Sequence, residues 1–198
     1  MSDQYRIPNG SLVKAGLELM HQAGKPLERI QAKGRAMIYR APGGETVRVR
    51  TCNDHVLIVV ADQHDPNKAR LNVEGTDYVL LVMPERPRSP GPIIAYLVPT
   101  EVVCEAARSG QRHWLATNPN TQGDNRTWAL WFDTSTSEGR GFHEKWKSYR
   151  LGGAASARLT PSAGSPAKKL GEVIALAKQD IAEAAGVPIE RVKISIDA

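Results

Sequence analysis

The sequence lacks long apolar runs and is poor in cysteine, with only two among its 198 residues. A helix that spans a bilayer needs roughly 18 or more consecutive apolar residues, so we expect no membrane partner. Residues 1–6 contain no apolar stretch, and no secretory signal is visible. Cys52 and Cys104 stand among apolar or strand-forming residues, which favours buried free thiols. These absences together predict a bacterial-type cytoplasmic location.

A strong excess of one charge is also missing, since the formal net charge is +5. An excess of this size is common in proteins that never touch nucleic acid, so it decides little alone. The positive residues nevertheless form two groups along the chain. The first group lies within residues 1–50 and includes Arg40, Arg48 and Arg50, and the second consists of Arg140, Lys145, Lys147 and Arg150. The two groups could meet in space as one patch, or they could be unrelated solvated faces.

What the sequence does have is a succession of strand-like segments between residues 36 and 133. In residues 46–51, valines alternate with arginines, which is the period-two pattern of a half-buried strand with the arginines outward. Residues 56–60, 78–83 and 93–98 are uniformly apolar and rich in β-branched residues, which is typical of buried strands, and the first of them predicts a central strand. We therefore expect a single mixed sheet over residues 36–133.

Helical periodicity flanks these strands. The residues after Asn9-Gly10-Ser11, which offer an N-cap, predict one helix, and a second short helix could follow at residues 27–33. Thr100 is expected to cap a helix that runs to about Gly110 and packs on the sheet. A further short helix is predicted at residues 142–149. The order of elements indicates an α+β fold, in which helices flank a central mixed sheet.

The last quarter of the chain differs in composition. Residues 154–169 are rich in alanine, serine and proline, as linkers are. Beyond them, apolar residues at helical spacing are followed by a strand-like segment at residues 192–196. We therefore divide the chain into a core at residues 1–153, the linker, and a helix–strand appendage at residues 170–198. The apolar stripe of the appendage needs a partner, which could be the core or another protein.

Four short motifs follow one another in a distinctive order: a glycine turn, a strand that alternates valine with charge, and two apolar strands. They are Gly43-Gly44, Val47-Arg48-Val49-Arg50-Thr51, Asp77-Tyr78-Val79-Leu80-Leu81-Val82 and Tyr96-Leu97-Val98-Pro99-Thr100. In this order they resemble the core of the PD-(D/E)XK restriction-endonuclease-like superfamily, over roughly residues 11–150. The resemblance implies a mixed sheet flanked by helices and a nucleic-acid partner.

The same resemblance implies that the catalytic motif is degenerate. Active members hold magnesium with an aspartate and a second carboxylate, and a lysine stabilises the developing charge. The corresponding positions here are Tyr39, Arg48 and Arg50, and neither Tyr39 nor Arg48 binds magnesium at neutral pH. Two outward arginines instead suit phosphate, which guanidinium contacts through two parallel hydrogen bonds.

We therefore predict a non-catalytic DNA-binding protein without a metal or a cofactor. The residues expected to contact DNA are Arg40, Arg48, Arg50, Lys145, Lys147 and Arg150. Arg48 and Arg50 could instead pair with acids such as Glu45 or Asp62. Two other functions stay open. One is an active metal-dependent nuclease whose site is rearranged around Glu45, Asp54 or Asp77, and the other is a protein–protein adaptor on an α+β scaffold.

The remaining chemistry-bearing residues give weaker signals. The dipeptide His143-Glu144 lacks the second histidine of a zinc-protease motif, because residue 147 is lysine. A cluster of His55, Asp62, His64 and Asp65 could bind a metal, although a solvated loop explains it more simply. Cys104 lies on the apolar side of a predicted helix, which disfavours a nucleophile.

The tryptophans divide into two kinds. Trp128 and Trp146 are predicted to pack in the core. Trp131 alternates out of phase with Trp128, so it should face the other side of the sheet. There it would be covered by a helix or would contact a protein partner.

Overall fold

The structure is a computed structural model that describes residues 6–30, 37–120 and 125–152. Helices and strands alternate irregularly along it, which makes an α+β fold, as predicted. The elements are α1 (Asn9–Gln22), β1 (Glu28–Arg29), β2 (Ile38–Arg40), β3 (Thr46–Thr51), β4 (Val56–Val60), β5 (Tyr78–Pro84), β6 (Ile93–Pro99), α2 (Thr100–Thr117), β7 (Thr127–Trp131), α3 (Phe142–Lys145) and a 3-10 turn at Lys147–Tyr149.

Five strands form the main sheet, in the order β1-β2-β3-β5-β6. Strands β3 and β5 run parallel, with Val47 beside Tyr78 and Thr51 beside Val82. All other neighbours in this sheet are antiparallel, so the sheet is mixed, as predicted. Helix α1 packs on one face, and α2 packs on the other.

Strand β5 is buried on both faces of the main sheet. Leu80 and Val82 belong to the core on the side of α1, whereas Val79, Leu81 and Met83 belong to the core on the side of α2. A strand that is covered on both sides has no position for a polar residue, which explains why its sequence is uniformly apolar.

The prediction of one sheet over residues 36–133 is wrong for two strands, β4 and β7. They pair with each other, antiparallel, in a separate two-stranded sheet. Leu57 and Val59 are buried, whereas Ile58 and Val60 are 37% and 43% exposed, so β4 is half-buried rather than central. The reason is that β3 already has a neighbour at each edge, β2 and β5. Apolar residues on both sides of a strand do not show that both sides are covered.

Three smaller expectations about helices are also corrected. Glu28–Arg29 is a strand paired with β2 and not part of a helix, while residues 31–36 lie outside the described part. Helix α2 continues to Thr117, beyond the expected end at Gly110, because no proline interrupts it there. The N-cap positions of α1 and α2 are Pro8 and Pro99, and no side chain caps either helix.

The chain divides at residue 160 into two units, and every described residue belongs to the first. The predicted linker at 154–169 and the appendage at 170–198 lie outside the described residues. In the ranges that are described, no helix combines the length and apolarity that crossing a membrane requires. Within the first unit, Leu151 is buried, and its backbone N–H donates to the carbonyl of Ala95 at 2.8 Å.

Truncation should therefore separate two cases. A chain that ends at Gly153 keeps Leu151 and should unfold cooperatively in urea. A chain that ends at Tyr149 loses this buried leucine and its bond to β6, and should be less stable by about 2–5 kcal/mol. Circular dichroism during denaturation measures both. Loss of the cooperative transition in the longer truncation would show that the appendage belongs to the same folding unit.

Helix α1 approaches β5 most closely at Gly16, where an added Cβ would overlap the side chain of Val82. Gly16→Ala should therefore destabilise the protein by about 1–3 kcal/mol, although alanine favours helix by up to about 1 kcal/mol. The control is Gly10→Ala in the same helix, where nothing lies within 4 Å of the added atom. Equal urea midpoints for the two variants would contradict this close approach.

Candidate nucleic-acid interface

Three of the predicted DNA-contacting residues share one face of the main sheet. Arg40 lies opposite Thr46, and Ile38 lies opposite Arg48, in the antiparallel pair β2–β3. Directly opposed residues of such a pair project to the same side, and so do residues two apart on one strand. Arg40, Arg48 and Arg50 therefore project from the face opposite α1, which we call the arginine face.

The arginine face is not part of the buried core on the side of α2. The core on the side of α2 contains no residue of β2 or β3 among the described residues. Arg40 is consequently exposed, while Arg48 and Arg50 are half-buried. The expected outward orientation of both β3 arginines is confirmed, because Val47 and Val49 are buried on the opposite face.

Arg48 and Arg50 differ in their partners. Arg50 Nη2 donates to the carbonyl oxygen of Ile58 at 2.7 Å, which ties β3 to the edge of β4. Arg48 Nε is buried, and no described residue accepts a hydrogen bond from it. Burial and then the charge of Arg50 lower the pKa of Arg48, but a guanidinium stays charged at neutral pH. Arg48 is thus a half-buried cation whose buried Nε lacks an acceptor in the described structure.

Neither acid named as an alternative partner pairs with these arginines in the described structure. Glu45 precedes Thr46, so alternation places it toward α1, and its charge acts on Lys25 and Tyr78. Asp62 accepts from the backbone N–H of Arg70 at 2.8 Å. The positive charge of the arginine face is therefore not cancelled by these two carboxylates.

The structure does not bring the second basic group to the arginine face. Arg150 forms a bridge to Tyr96 at the far edge of the sheet, three strand spacings from β3, or about 14 Å. It pairs with Glu85 at 3.4 Å, and Lys147 pairs with Glu144. Lys145 Nζ donates to the carbonyl of Ser137 at 3.1 Å. The two groups are separate surfaces, and the second is largely neutralised.

Two carboxylates of the rearranged-nuclease alternative, Asp77 and Asp54, lie at opposite ends of β3. Thr46 donates to Asp77 Oδ2 through its backbone N–H at 2.7 Å and its hydroxyl at 2.8 Å, at the start of β3. Asp54, which follows the other end of β3, is held by Arg6 and Arg88. Six strand residues span about 17 Å or more. No three potential metal ligands come together anywhere in the described ranges.

Tyr39, which the sequence resemblance aligns with a metal-binding aspartate, faces away from Arg48 in the structure. It lies opposite Val47, and both belong to the core on the side of α1. A carboxylate at Tyr39 would consequently not meet a carboxylate at Arg48.

A hydrogen-bonded series of three rings, two buried and one half-buried, was not anticipated from the sequence. His55 Nε2 lies 2.7 Å from the carbonyl oxygen of Pro84, His143 Nε2 lies 2.9 Å from His55 Nδ1, and Tyr96 Oη lies 2.8 Å from His143 Nδ1. The carbonyl only accepts, so Nε2 of His55 carries a hydrogen. With both rings neutral, His143 then donates to His55, and Tyr96 donates to His143. One proton arrangement satisfies every atom.

These hydrogen bonds join residues that are distant in the sequence, since His55 and His143 are 88 residues apart. His55 has a φ of 56°, in the left-handed region that is costly for a side chain. Burial, then His55 and Arg150, lower the pKa of His143, while Asp133 opposes them. The hydrogen-bonded rings connect α3 and the β3–β4 turn to the main sheet. His55 is therefore not part of the loop cluster around Asp62.

The predicted burial of Trp128 and Trp146 and the predicted orientation of Trp131 are confirmed. Trp128 and Trp146 are buried, at 2% and 4% exposure. Trp131 is 41% exposed, on the outward side of the two-stranded sheet, and the guanidinium of Arg140 lies 5.2 Å from its ring centre. Arg140 is itself held by an ion pair with Asp133 at 2.5 Å.

Both cysteines are free and buried, as predicted. Burial raises the pKa of Cys52 to about 12 and that of Cys104 to about 11. The reactive thiolate is therefore scarce at neutral pH, which disfavours Cys104 as a nucleophile.

Comparison with known proteins gives no match: no family model, no curated protein and no solved structure matches this chain.

Acidification should destabilise the protein through His143. Because folding lowers its pKa below the ordinary 6.5, the unfolded chain binds more protons as the pH falls below that value. Neutral His143 contributes fully to the free energy of unfolding above about pH 6.5. This contribution is lost as the pH falls through the pKa that His143 has in the folded protein. The free energy of unfolding should therefore decrease from pH 7 to pH 5, and His143→Gln should flatten this dependence. His113→Gln, at an exposed histidine of α2, is the control, and equal slopes in the two variants would contradict the prediction.

Proposed function

We propose that this protein binds DNA through the arginine face and does not cleave it. The observation that carries the proposal is Arg48, whose Nε is buried and has no acceptor in the described structure. An unpaired buried donor costs free energy, and phosphate oxygens are strong acceptors for guanidinium. Binding of a phosphate would satisfy the donor and offset the charge.

The arrangement of the three arginines supports a polyanion rather than one small anion. Arg48 and Arg50 lie two residues apart on β3, or about 7 Å along the strand, and Arg40 lies on the adjacent strand opposite Thr46, about 7–8 Å diagonally from Arg48. Separate guanidinium groups at these spacings can contact separate phosphates. Contacts of this kind give affinity without sequence preference.

The absence of cleavage is proposed from the chemistry of the same positions. Arg48 and Arg50 stand where the PD-(D/E)XK-like resemblance expects a carboxylate and a lysine, and guanidinium repels a divalent cation. Asp54 and Asp77 are engaged at opposite ends of β3. The cytoplasmic location expected from the sequence belongs to the same proposal.

A protein–protein adaptor is the second candidate, and one observation favours it. Ile58, Val60 and Trp131 are large apolar side chains that are exposed on the outward side of β4 and β7. Retention on immobilised DNA separates the two candidates, because phosphate contacts weaken steeply as salt increases, whereas apolar contacts do not.

Replacing both β3 arginines tests the proposal. Arg48→Ala with Arg50→Ala should weaken binding to duplex DNA, and the slope of log affinity against log salt should fall by about 0.9 for each lost phosphate contact. Fluorescence anisotropy at several salt concentrations measures both quantities.

The control for this variant removes two positive charges elsewhere. Lys68→Ala with Arg112→Ala changes the net charge equally, at residues paired with Asp65 and Glu105, and should keep most of the affinity. Equal affinities of the wild type and the β3 variant would refute the proposal. So would plasmid cleavage with magnesium or manganese that the β3 variant abolishes.

A further inference from the structure

A hollow of about 390 Å³ lies between the second half of α2 and β7, and residues 137–140 close one side. One wall consists of residues of α2 from Gly110 onward. The other wall consists of residues of β7, whose opposite edge pairs with β4. The helix comes close to the loop here, since a Cβ at Gly110 would lie 3.0 Å from the Cα of Gly139. The volume falls within the range of small-molecule sites, about 300–1,000 Å³.

Gln111 supplies an unpaired polar group at this hollow. It is 4% exposed, it lines the hollow, and its Nε2 has no hydrogen-bond partner in the parts of the chain that are described. Buried amide groups in native proteins are paired in the large majority of cases. A ligand with a hydrogen-bond acceptor would satisfy this one.

Aromatic rings make up much of the remaining wall. Trp114, Trp128 and Trp131 all line the hollow. Trp131 is 41% exposed, and Arg140 over its ring, fixed by Asp133, holds the indole in place. An exposed indole can stack on any nucleobase, because every base presents a flat aromatic face.

We propose that this hollow binds an unpaired nucleobase. A base offers the flat ring that stacks on Trp131, and its edge carries the acceptors that the Gln111 amide can meet. The inference rests on the proposed function, because the base would come from DNA held at the arginine face.

The two surfaces are close enough to share one strand of DNA. Ile58, whose carbonyl oxygen accepts from Arg50, lies directly opposite Ala129, which lines the hollow. Arg50 Nη2 lies 2.7 Å from the Ile58 oxygen, and β4 and β7 are neighbouring strands about 5 Å apart. Trp131 also lines a neighbouring hollow that reaches Val56 and Thr51 at the end of β3.

The test compares single-stranded with duplex DNA in variants of Trp131. Trp131→Ala should weaken binding of a single-stranded oligonucleotide about tenfold or more, and should leave duplex affinity within about twofold. Trp131→Phe keeps a stacking surface and should retain most of the affinity. Val60→Thr, exposed on the same sheet but outside the hollow, is the matched control and should have no effect.

Gln111 is tested by Gln111→Met, which conserves the side-chain volume, and should weaken single-strand binding several-fold. Deoxynucleoside monophosphates, titrated by calorimetry, distinguish a free nucleotide from a base within a strand as the source. If the monophosphates bind and Trp131→Ala abolishes that binding, the site accepts a free nucleotide. If only the oligonucleotide binds, the site accepts a base that belongs to a strand.

Failure of this inference differs from failure of the proposed function. Unchanged single-strand affinity in Trp131→Ala overturns the base site, even where the β3 arginine variant still loses duplex binding. Unchanged duplex affinity in the β3 variant overturns the arginine face, even where Trp131→Ala still loses single-strand binding. Urea midpoints of the Trp131 variants near that of the wild type show that the fold is intact, as expected for a partly exposed side chain.

Discussion

The parallel pairing of β3 with β5 is the constraint on which the rest of the fold depends. Thr46 and Asp77 fix its register, since the hydroxyl and the backbone N–H of Thr46 donate to one carboxylate oxygen of Asp77, and the backbone N–H of Asp77 donates to the carbonyl of Thr46 at 3.0 Å. Parallel strands need a long crossover, and the chain from β3 to β5 supplies it through β4 and the loop that follows. Strand β5 then lies between β3 and β6 in the main sheet and is buried on both faces.

This pairing also determines where β4 goes. With β2 and β5 as its neighbours, β3 has no free edge at which β4, the next strand along the chain, could pair. Strand β4 instead pairs with β7, one side of the pair closes the core, and Trp131 remains on the other side. The arginine face is only partly covered for the same reason, because α2 and β4 pack over β5 and β6 rather than β2. One choice of strand partner therefore generates both candidate surfaces.

Sequence patterns predicted those features that depend on neighbouring residues. The alternation in β3 gave the outward orientation of Arg48 and Arg50, and the phase of Trp131 against Trp128 gave its exposure. The patterns did not predict the partner of β4, because an apolar run favours a strand without showing how many of its faces are covered. The chain from His55 to Tyr96 could not be predicted either. Its members are 41 to 88 residues apart in the sequence, and only the folded sheet brings them together.

Each of the two candidate surfaces contains a buried hydrogen-bond donor without a partner among the described residues. In the described ranges these side-chain atoms are Glu45 Oε2, Arg48 Nε and Gln111 Nε2. The one acceptor is on the side of α1, near the positive charge of Lys25. The two donors are both on the side of α2 and β4, one beside the arginine face and one in the tryptophan-lined hollow. Folding leaves donors unpaired at a cost in free energy, and a ligand rich in acceptors would recover it under the two proposals above. DNA carries such acceptors on its phosphates and on its base edges, so one ligand would satisfy both donors.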